Sequence, residues 1–387
     1  MRRLFFAAAC RRAFVVLAFL VTANVALGQN TMPELPQTIN ALVMPSARAA
    51  ATGGYHAAFG EGFDAFFSNP AIFAAIEPQK SFTEFSYAVN DFDIFSIFVS
   101  SDEEMKEKLF DRLEEGIVLK MDLGGPIAFG AIQEKWGWGV FNVTRMHLEW
   151  VREVVWKIHF RLSEELFFIS GFGFRLLDTG VVIGDIGFTA KAFFRAGYLP
   201  KMFLTAIKKF WEDMSRDVFE NQLGIGEDIG ARFTFYDIFS VGVTLHDPFS
   251  PAYVAEYRNV DQFYKQNMVE SGMVTVTPRL AAGLALHFKS VSIVVSDLVI
   301  TVDYNQMLPF LEVFPRNPLL EFSAGLEIQF LDVLSLRAGF SELLPCGGIG
   351  LDLTLIKFDA AFMMKELGND PGDFSTWAAN LSILYRY

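Results

Sequence analysis

Residues 320–340 read LEFSAGLEIQFLDVLSLRAGF. Leu320, Phe322, Ala324, Leu326, Ile328 and Phe330 hold every second position, with Glu321, Ser323, Glu327 and Gln329 between them. A period of two puts the first set on one face of a strand and the second set on the other. Leu334, Leu336, Ala338 and Phe340 repeat the pattern against Ser335 and Arg337, so the stretch is two strands joined at residues 331–333. If Phe330 and Leu334 both face the apolar side, that turn sets Glu327 directly opposite Arg337. A sheet that is oily on one side and charged on the other separates lipid from water.

The same split recurs on both sides of this hairpin. Ile349, Leu351, Leu353 and Leu355 alternate with Asp352 and Thr354, and Trp377, Ala379, Leu381, Ile383, Tyr385 and Tyr387 alternate with Asn380, Ser382 and Arg386. Upstream, Phe168, Phe172, Phe174 and Leu176 oppose Gly171, Gly173 and Arg175, and Phe188, Ala190, Ala192 and Phe194 oppose Thr189, Lys191 and Arg195. A turn at residues 236–238 pairs Asp228 with His246. Residues 116–177 read as strands; within them Leu148, Trp150, Val154, Trp156, Ile158 and Phe160 share one parity, and a helix is the alternative there.

Composition agrees with a membrane-spanning sheet. The 387 residues are 52% hydrophobic with 42 Phe and a mean hydropathy of +0.31. Beyond residue 28, however, no uncharged apolar run approaches the roughly 18 to 20 residues of a membrane helix. An oily chain with its apolar residues on alternate positions is a transmembrane antiparallel β-barrel. Connections support this: tight turns near Asp237, Lys289, Asp332 and Lys357 alternate with longer links at 198–227, 247–277, 305–318, 341–347 and 366–375. Two links carry helical spacing. Met105, Leu109 and Leu113 mark a short helix over residues 101–116, preceded by a strand at 92–100. Phe203, Ile207, Trp211, Met214 and Val218 mark an amphipathic helix that would form an outer docking surface.

One stretch breaks the alternation. Residues 44–71, MPSARAAATGGYHAAFGEGFDAFFSNPA, are rich in Ala and Gly and carry only Arg48, Glu61 and Asp64 as full charges. Such a segment needs enclosure, and a plug inside the barrel provides it; a loosely ordered arm is the other reading. From Ser46-Ala47-Arg48-Ala49-Ala50 through Gly53-Gly54 and Asp64-Ala65 to Asn69-Pro70-Ala71, its course resembles the N-terminal hatch of the long-chain fatty-acid transporter (FadL-like) superfamily of Gram-negative outer membranes. The chain departs from that pattern in two ways. Phe59, Phe63, Phe66 and Phe67 interrupt the run of small residues, and Ile72-Phe73 follows Pro-Ala.

The resemblance implies an all-β barrel of fourteen strands with an N-terminal plug and short loop helices. Alternation alone gives about sixteen, so fourteen to sixteen is the expectation. It also implies a channel for small hydrophobic molecules such as long-chain fatty acids. Arg48, Asp64, Asn69, Pro70 and Ala71 would be the hatch and gating residues, with Asn69-Pro70-Ala71 anchoring the plug to the inner wall. Phe59, Phe63, Phe66 and Phe67 would line the apolar route. Pro70 lacks a backbone donor and biases Asn69 towards an extended conformation, leaving its amide to bond outwards.

The domain expectation follows: a signal peptide at 1–28, a periplasmic lead-in at 29–43, the hatch at 44–79 and the barrel at 80–387. Arg2, Arg3, Arg11 and Arg12, an apolar stretch from 13 to 26 and Ala26-Leu27-Gly28 place cleavage near Gly28 and the mature protein in the outer membrane of a diderm bacterium. Cys10 precedes the apolar core and is followed by arginines, unlike a lipid-attachment site. Only Cys346 then remains, and no intrachain disulfide forms. A final strand ending on an aromatic residue resembles the signal read by barrel assembly machinery.

The net charge of −13 disfavours nucleic acid as a partner. There is no Gly-x-Ser-x-Gly, His-Glu-x-x-His, Cys-x-x-Cys or phosphate loop, and His56, His147, His159, His246 and His287 are scattered without ligand spacing. No enzyme, metal or cofactor is expected. Gly171, Gly173, Gly224 and Gly226 read instead as close-packed or bent strand positions. Expected partners are a fatty acid or similar hydrophobic molecule and outer-membrane lipid. The competing function is a structural or interaction barrel, a secretion-associated shuttle or a surface adhesin, working through its loops.

Overall fold

The computed structural model describes residues 38–39, 43–76, 78–90, 117–152, 156–198, 201–203, 218–308, 316–366, 369–372 and 375–386. The signal segment, the strand expected at 92–100 and the helix expected at 101–116 lie outside them. A two-residue strand β1 (Thr38–Ile39) and a helix α1 (Ala47–Ala51) come first. The wall then begins with β2 (Gln79–Asn90), β3 (Ile117–Gln133), β4 (Trp136–Arg152) and β5 (Trp156–Asp178), followed by β6 (Val182–Tyr198) with β7 (Lys201–Phe203). It continues through β8 (Phe219–Phe235), β9 (Phe239–His246) with β10 (Pro251–Tyr257), and β11 (Met268–Val276) with β12 (Arg279–Lys289). The last strands are β13 (Val295–Tyr304), β14 (Phe322–Phe330), β15 (Leu334–Ser341), β16 (Leu344–Asp352), β17 (Ile356–Glu366) and β18 (Ser375–Arg386).

β18 pairs antiparallel with β2 and closes the ring. Three wall positions are each built of two strands: β6 and β7 both pair with β5, β9 and β10 both with β8, and β11 and β12 prolong one another. The result is a transmembrane barrel of fourteen positions, the smaller of the expected numbers. Both expected cross-strand pairs are present, Glu327 opposite Arg337 and Asp228 opposite His246. Outer-face residues such as Ile300, Leu336, Ile349 and Leu381 are exposed, while Thr301, Asp303, Glu327 and Arg337 are buried on the lumen side.

Several expected boundaries move. Arg152 lies opposite Trp156, so residues 148–161 are not one strand but the ends of β4 and β5. The link at 341–347 is a tight turn: Glu342 and Leu343 take φ of 57° and 64°, and Ser341 pairs with Leu344. The link at 247–277 is mostly wall, because β10, a short helix α2 (Val260–Tyr264) and β11 occupy it. Pro248 and Pro278 lack the donor that a ladder needs, which is why one strand reads as two there. Of the expected docking helix, Phe203 ends β7 and residues 207, 211 and 214 lie outside the described residues. Nor does the described part of the lead-in hang beneath the barrel: Thr38 and Ile39 pair parallel with Thr275 and Val276 of β11, beside the half of the wall nearer the long loops.

Residues 44–76 sit inside the ring. The wall makes room with glycine. A Cβ at Gly171 would strike the Phe73 ring, one at Gly187 the Pro70 carbonyl, one at Gly230 the Asn69 side chain and one at Gly242 the Ala57 carbonyl. Gly187→Val should unseat the hatch while the ladder stays whole. The expected outcome is normal heat-modifiable gel mobility with faster protease cleavage between residues 44 and 76. A hatch as protected as in the parent chain would show that the close approach at Gly187 does not matter.

Candidate functional site

The hatch is fastened on two sides by different chemistry. On one side α1 is built of small residues that fit against Cys346, Ala361 and Ala378. Ser46 caps it by accepting from the Ala49 amide (3.2 Å), and the Ala47 amide donates to Ser382 Oγ of β18 (3.1 Å). Arg48 leaves this helix towards β14. Its Nε and Nη2 donate to Glu327 Oε2 at 3.0 and 2.8 Å, and Glu61 and Asp64 of the hatch stand 3.1 and 3.9 Å from it. Arg337 Nε donates to the other Glu327 oxygen (3.0 Å) and its Nη1 to Asp359 (2.6 Å). One chain of charges thus links the hatch to β14, β15 and β17. Burial pushes the Asp64 carboxyl above its ordinary value, with Arg48 pulling the other way.

On the opposite side the fastening is made of amides. Asn69 is extended (φ −128°, ψ 118°), and its Oδ1 accepts from the Ala71 amide (2.9 Å), capping the 3₁₀ turn Pro70–Ala74. Its Nδ2 donates to the carbonyls of Ala57 (2.6 Å), Ala231 (3.1 Å) and Val243 (3.3 Å), spanning hatch, β8 and β9. A third contact comes from His56, whose Nδ1 lies 2.7 Å from Asp303 Oδ2; the Ala57 amide donates to the other Asp303 oxygen (2.8 Å).

Between these fastenings lies an aromatic layer. Phe63, Phe66 and Phe67 are buried and meet Phe141 of β4 with ring centroids 5.1, 6.2 and 5.7 Å away; Phe67 also meets Phe167 of β5 at 6.0 Å, and Phe66 meets Phe73 at 5.0 Å. Phe59 stands apart. It lies under the Arg48 guanidinium (5.4 Å) and edge-on to His287 (5.2 Å). Sequence reasoning gave no site role to Phe73, Phe141, Phe167, His56 or Asp303. Phe141 and Phe167 had a usable signal: each puts a large apolar ring on the parity that otherwise carries Gly139 and Glu165.

Towards the long loops the lumen becomes charged. Arg145 reaches Asp122 and Glu165, both at 3.1 Å, and donates to the Val43 carbonyl; Arg195 reaches Glu165 at 2.7 Å. A cavity of about 280 Å³ opens among these groups, with Lys120 and Arg161 on its wall. Lower down, Lys191 bridges Asp228 (2.7 Å) and Asp247 (2.8 Å) at the break between β9 and β10. No group of three or more His, Cys, Asp or Glu side chains suited to a metal occurs among the described residues.

No family model and no curated protein matches this sequence. Solved structures do. The Pseudomonas putida toluene transporter TodX matches at a TM-score of 0.50 and 12% identity, over 91% of this chain and 99% of that one. The Ralstonia pickettii toluene transporter TbuX gives the same values. A TodX mutant described as a monoaromatic hydrocarbon channel matches at 0.50 and 11% identity, over 88% of this chain and 98% of that one. The chain has their fold. That fold is the FadL-like barrel which the hatch resembles, here in a divergent sequence.

Glu327→Gln should weaken the charged fastening, because Arg48 and Arg337 lose the carboxylate they share. Breaking a buried pair costs about 3–5 kcal/mol. Planar-bilayer recordings should then show a higher or noisier conductance; a conductance like that of the parent would show that Arg48 does not hold the hatch. Asn69→Ala with Pro70→Ala tests the other side. It should leave heat-modifiable mobility unchanged and alter uptake or solute leak, whereas a variant that fails to assemble would make this stretch part of the folding core.

Proposed function

We propose that the protein is an outer-membrane channel that admits small hydrophobic molecules through a plugged lumen. The observation that carries this reading is the aromatic layer: four hatch rings packed with two wall rings, continuous with apolar wall side chains such as Val143, Ile169 and Phe193 and with the charged cavity above it. An apolar guest loses nothing by leaving water for such a layer and gains roughly 25 cal/mol for each Å² it buries. The structural neighbours described as toluene transporters support the same class of cargo. Export would follow signal cleavage near Gly28, with insertion by the barrel assembly machinery into outer-membrane lipid.

Opening requires the hatch to move, and Arg48, Asp64, Asn69, Pro70 and Ala71 are the residues whose contacts would give way. Phe63, Phe66 and Phe67 then line the route, with Phe59 at its side. Fatty acids are the finer reading of the cargo. Lys120 and Arg161 on the wall of the upper cavity would receive a carboxylate while the chain enters the rings below.

Uptake of radiolabelled toluene and oleate by diderm cells lacking their own transporters tests the proposal. Expression should raise uptake of at least one, and Phe66→Trp, which overfills the layer, should lower it several-fold at unchanged surface level. A correctly assembled barrel that raises neither, and that recovers a protein partner through its loops, would favour an interaction role instead.

A further inference from the structure

The short turns hold residues that their backbone disfavours. At residues 235–238 and 330–333 the Ile238 and Val333 amides donate to the Phe235 and Phe330 carbonyls at 3.1 and 2.9 Å. Tyr236 and Asp237 take φ of 54° and 57°, and Leu331 and Asp332 take 51° and 57°. These are type I′ turns, for which Asn-Gly is the favoured pair because both central residues are left-handed. Tyr and Leu at the first position are strained. Neither ring nor isobutyl group is used to pack the protein, since Tyr236 is 71% and Leu331 is 63% exposed. Something outside the chain must favour them.

The pattern continues around the rim. Leu353 and Leu355 project from the turn between β16 and β17, and Ile293, 97% exposed, from the turn between β12 and β13. Two turns at this end are polar, the one between β3 and β4 with Glu134 and Lys135 and the one between β5 and β6 with Thr179 and Gly180 beside Asp178. The occupant follows from strand length. β14, β15 and β16 have nine, eight and nine residues, whereas a tilted strand needs about 9–11 to cross the apolar core of a bilayer. β14 and β16 meet only the low end of that range and β15 falls short of it, so immersing their turns extends the crossing. Leu331 and Leu353 are also continuous with the outward-facing Phe330, Leu334 and Leu351, so they prolong the lipid-facing surface.

We propose that the short-turn rim, from β8 round to β17, is a lipid-binding surface seated in the periplasm-side phospholipid leaflet. Cargo that leaves the lumen at this end meets acyl chains at the rim. The inference rests on the membrane-channel reading, and its test separates the two. In a Cys346→Ala background, spin labels are placed through Tyr236→Cys, Leu331→Cys and Leu353→Cys, with Ile349→Cys on the outer face of β16 and Lys135→Cys in the polar turn as references. The protein is reconstituted into vesicles of phosphatidylethanolamine and phosphatidylglycerol. The three rim labels should collide more with oxygen than with a water-soluble nickel chelate, as the label at 349 does, while the label at 135 shows the reverse.

Rim labels that behave like the one at 135, with 349 still lipid-like, would overturn the proposal and leave the channel reading intact. A water-like label at 349 would overturn both. Protection of the Leu331→Cys thiol from a water-soluble maleimide in cell envelopes but not in protein-free vesicles would mean that a protein covers the rim, and would also overturn the proposal. The double variant Tyr236→Asn, Leu331→Asn restores favoured turn residues. It should refold in detergent at least as readily as the parent yet insert into vesicles several-fold more slowly, and unchanged insertion would count against the lipid role.

Discussion

A sheet that crosses lipid has no water to bond its backbone, so each N–H and C=O of the wall must find its partner in the next strand. Pairing of β18 with β2 meets that demand by removing both edges. Closure at fourteen positions has a cost of its own: about eight strands enclose a space that side chains alone can fill, and a wider ring leaves a lumen. The hatch answers that second problem. Its composition follows, because a short segment can touch several sides of the wall only if its backbone comes close. That is why alanine fills α1 and glycine stands at the facing wall positions.

The two fastenings are physically unlike, and the difference says where motion is easiest. Asn69 bonds to backbone carbonyls of β8 and β9, groups held in place by the ladder. Arg48 bonds to a carboxylate already shared with Arg337, so its partner has an alternative when Arg48 leaves. Between them residues 53–61 contain no regular secondary structure, and Gly53 and Gly54 take φ of 91° and 137°. Those values suit glycine alone and mark the backbone joint nearest the charged fastening. The amide side is thus the more rigidly held of the two, and the Arg48 side the one whose contacts exchange more readily.

How much of this was legible depended on whether a residue answers to a single constraint. Outward positions answer only to lipid, so alternation gave their parity, and parity with a tight turn gave the register of Glu327 against Arg337 and Asp228 against His246. Lumen positions answer to water, to the hatch and to one another. Phe141 and Phe167 were legible only as apolar rings on the lumen parity, without a sign of what they meet, and Asp303 gave no sign that it would hold both His56 and the Ala57 amide. The fourteen positions fall within the expected range; what periodicity missed is that prolines at 248 and 278 interrupt the ladder without ending the wall, so that 247–277 read as a loop. The two-residue turn at Glu342 and Leu343 was missed because neither is a usual left-handed residue.

A lumen this charged around an aromatic layer looks ill-suited to apolar cargo until the pairing is considered. A free charge keeps a tight water shell that a passing hydrocarbon would have to strip. A charge already bonded to its counterion has given up much of that shell during folding. Arg145, Arg195 and Lys191 each touch at least one carboxylate of the wall, at 2.7 to 3.1 Å. Their pairs present net dipoles rather than bare charges to the lumen, and a dipole repels an apolar molecule far less by desolvation than an ion does. In the proposed channel such pairs would hold the hatch and the broken strand in place without closing an apolar route.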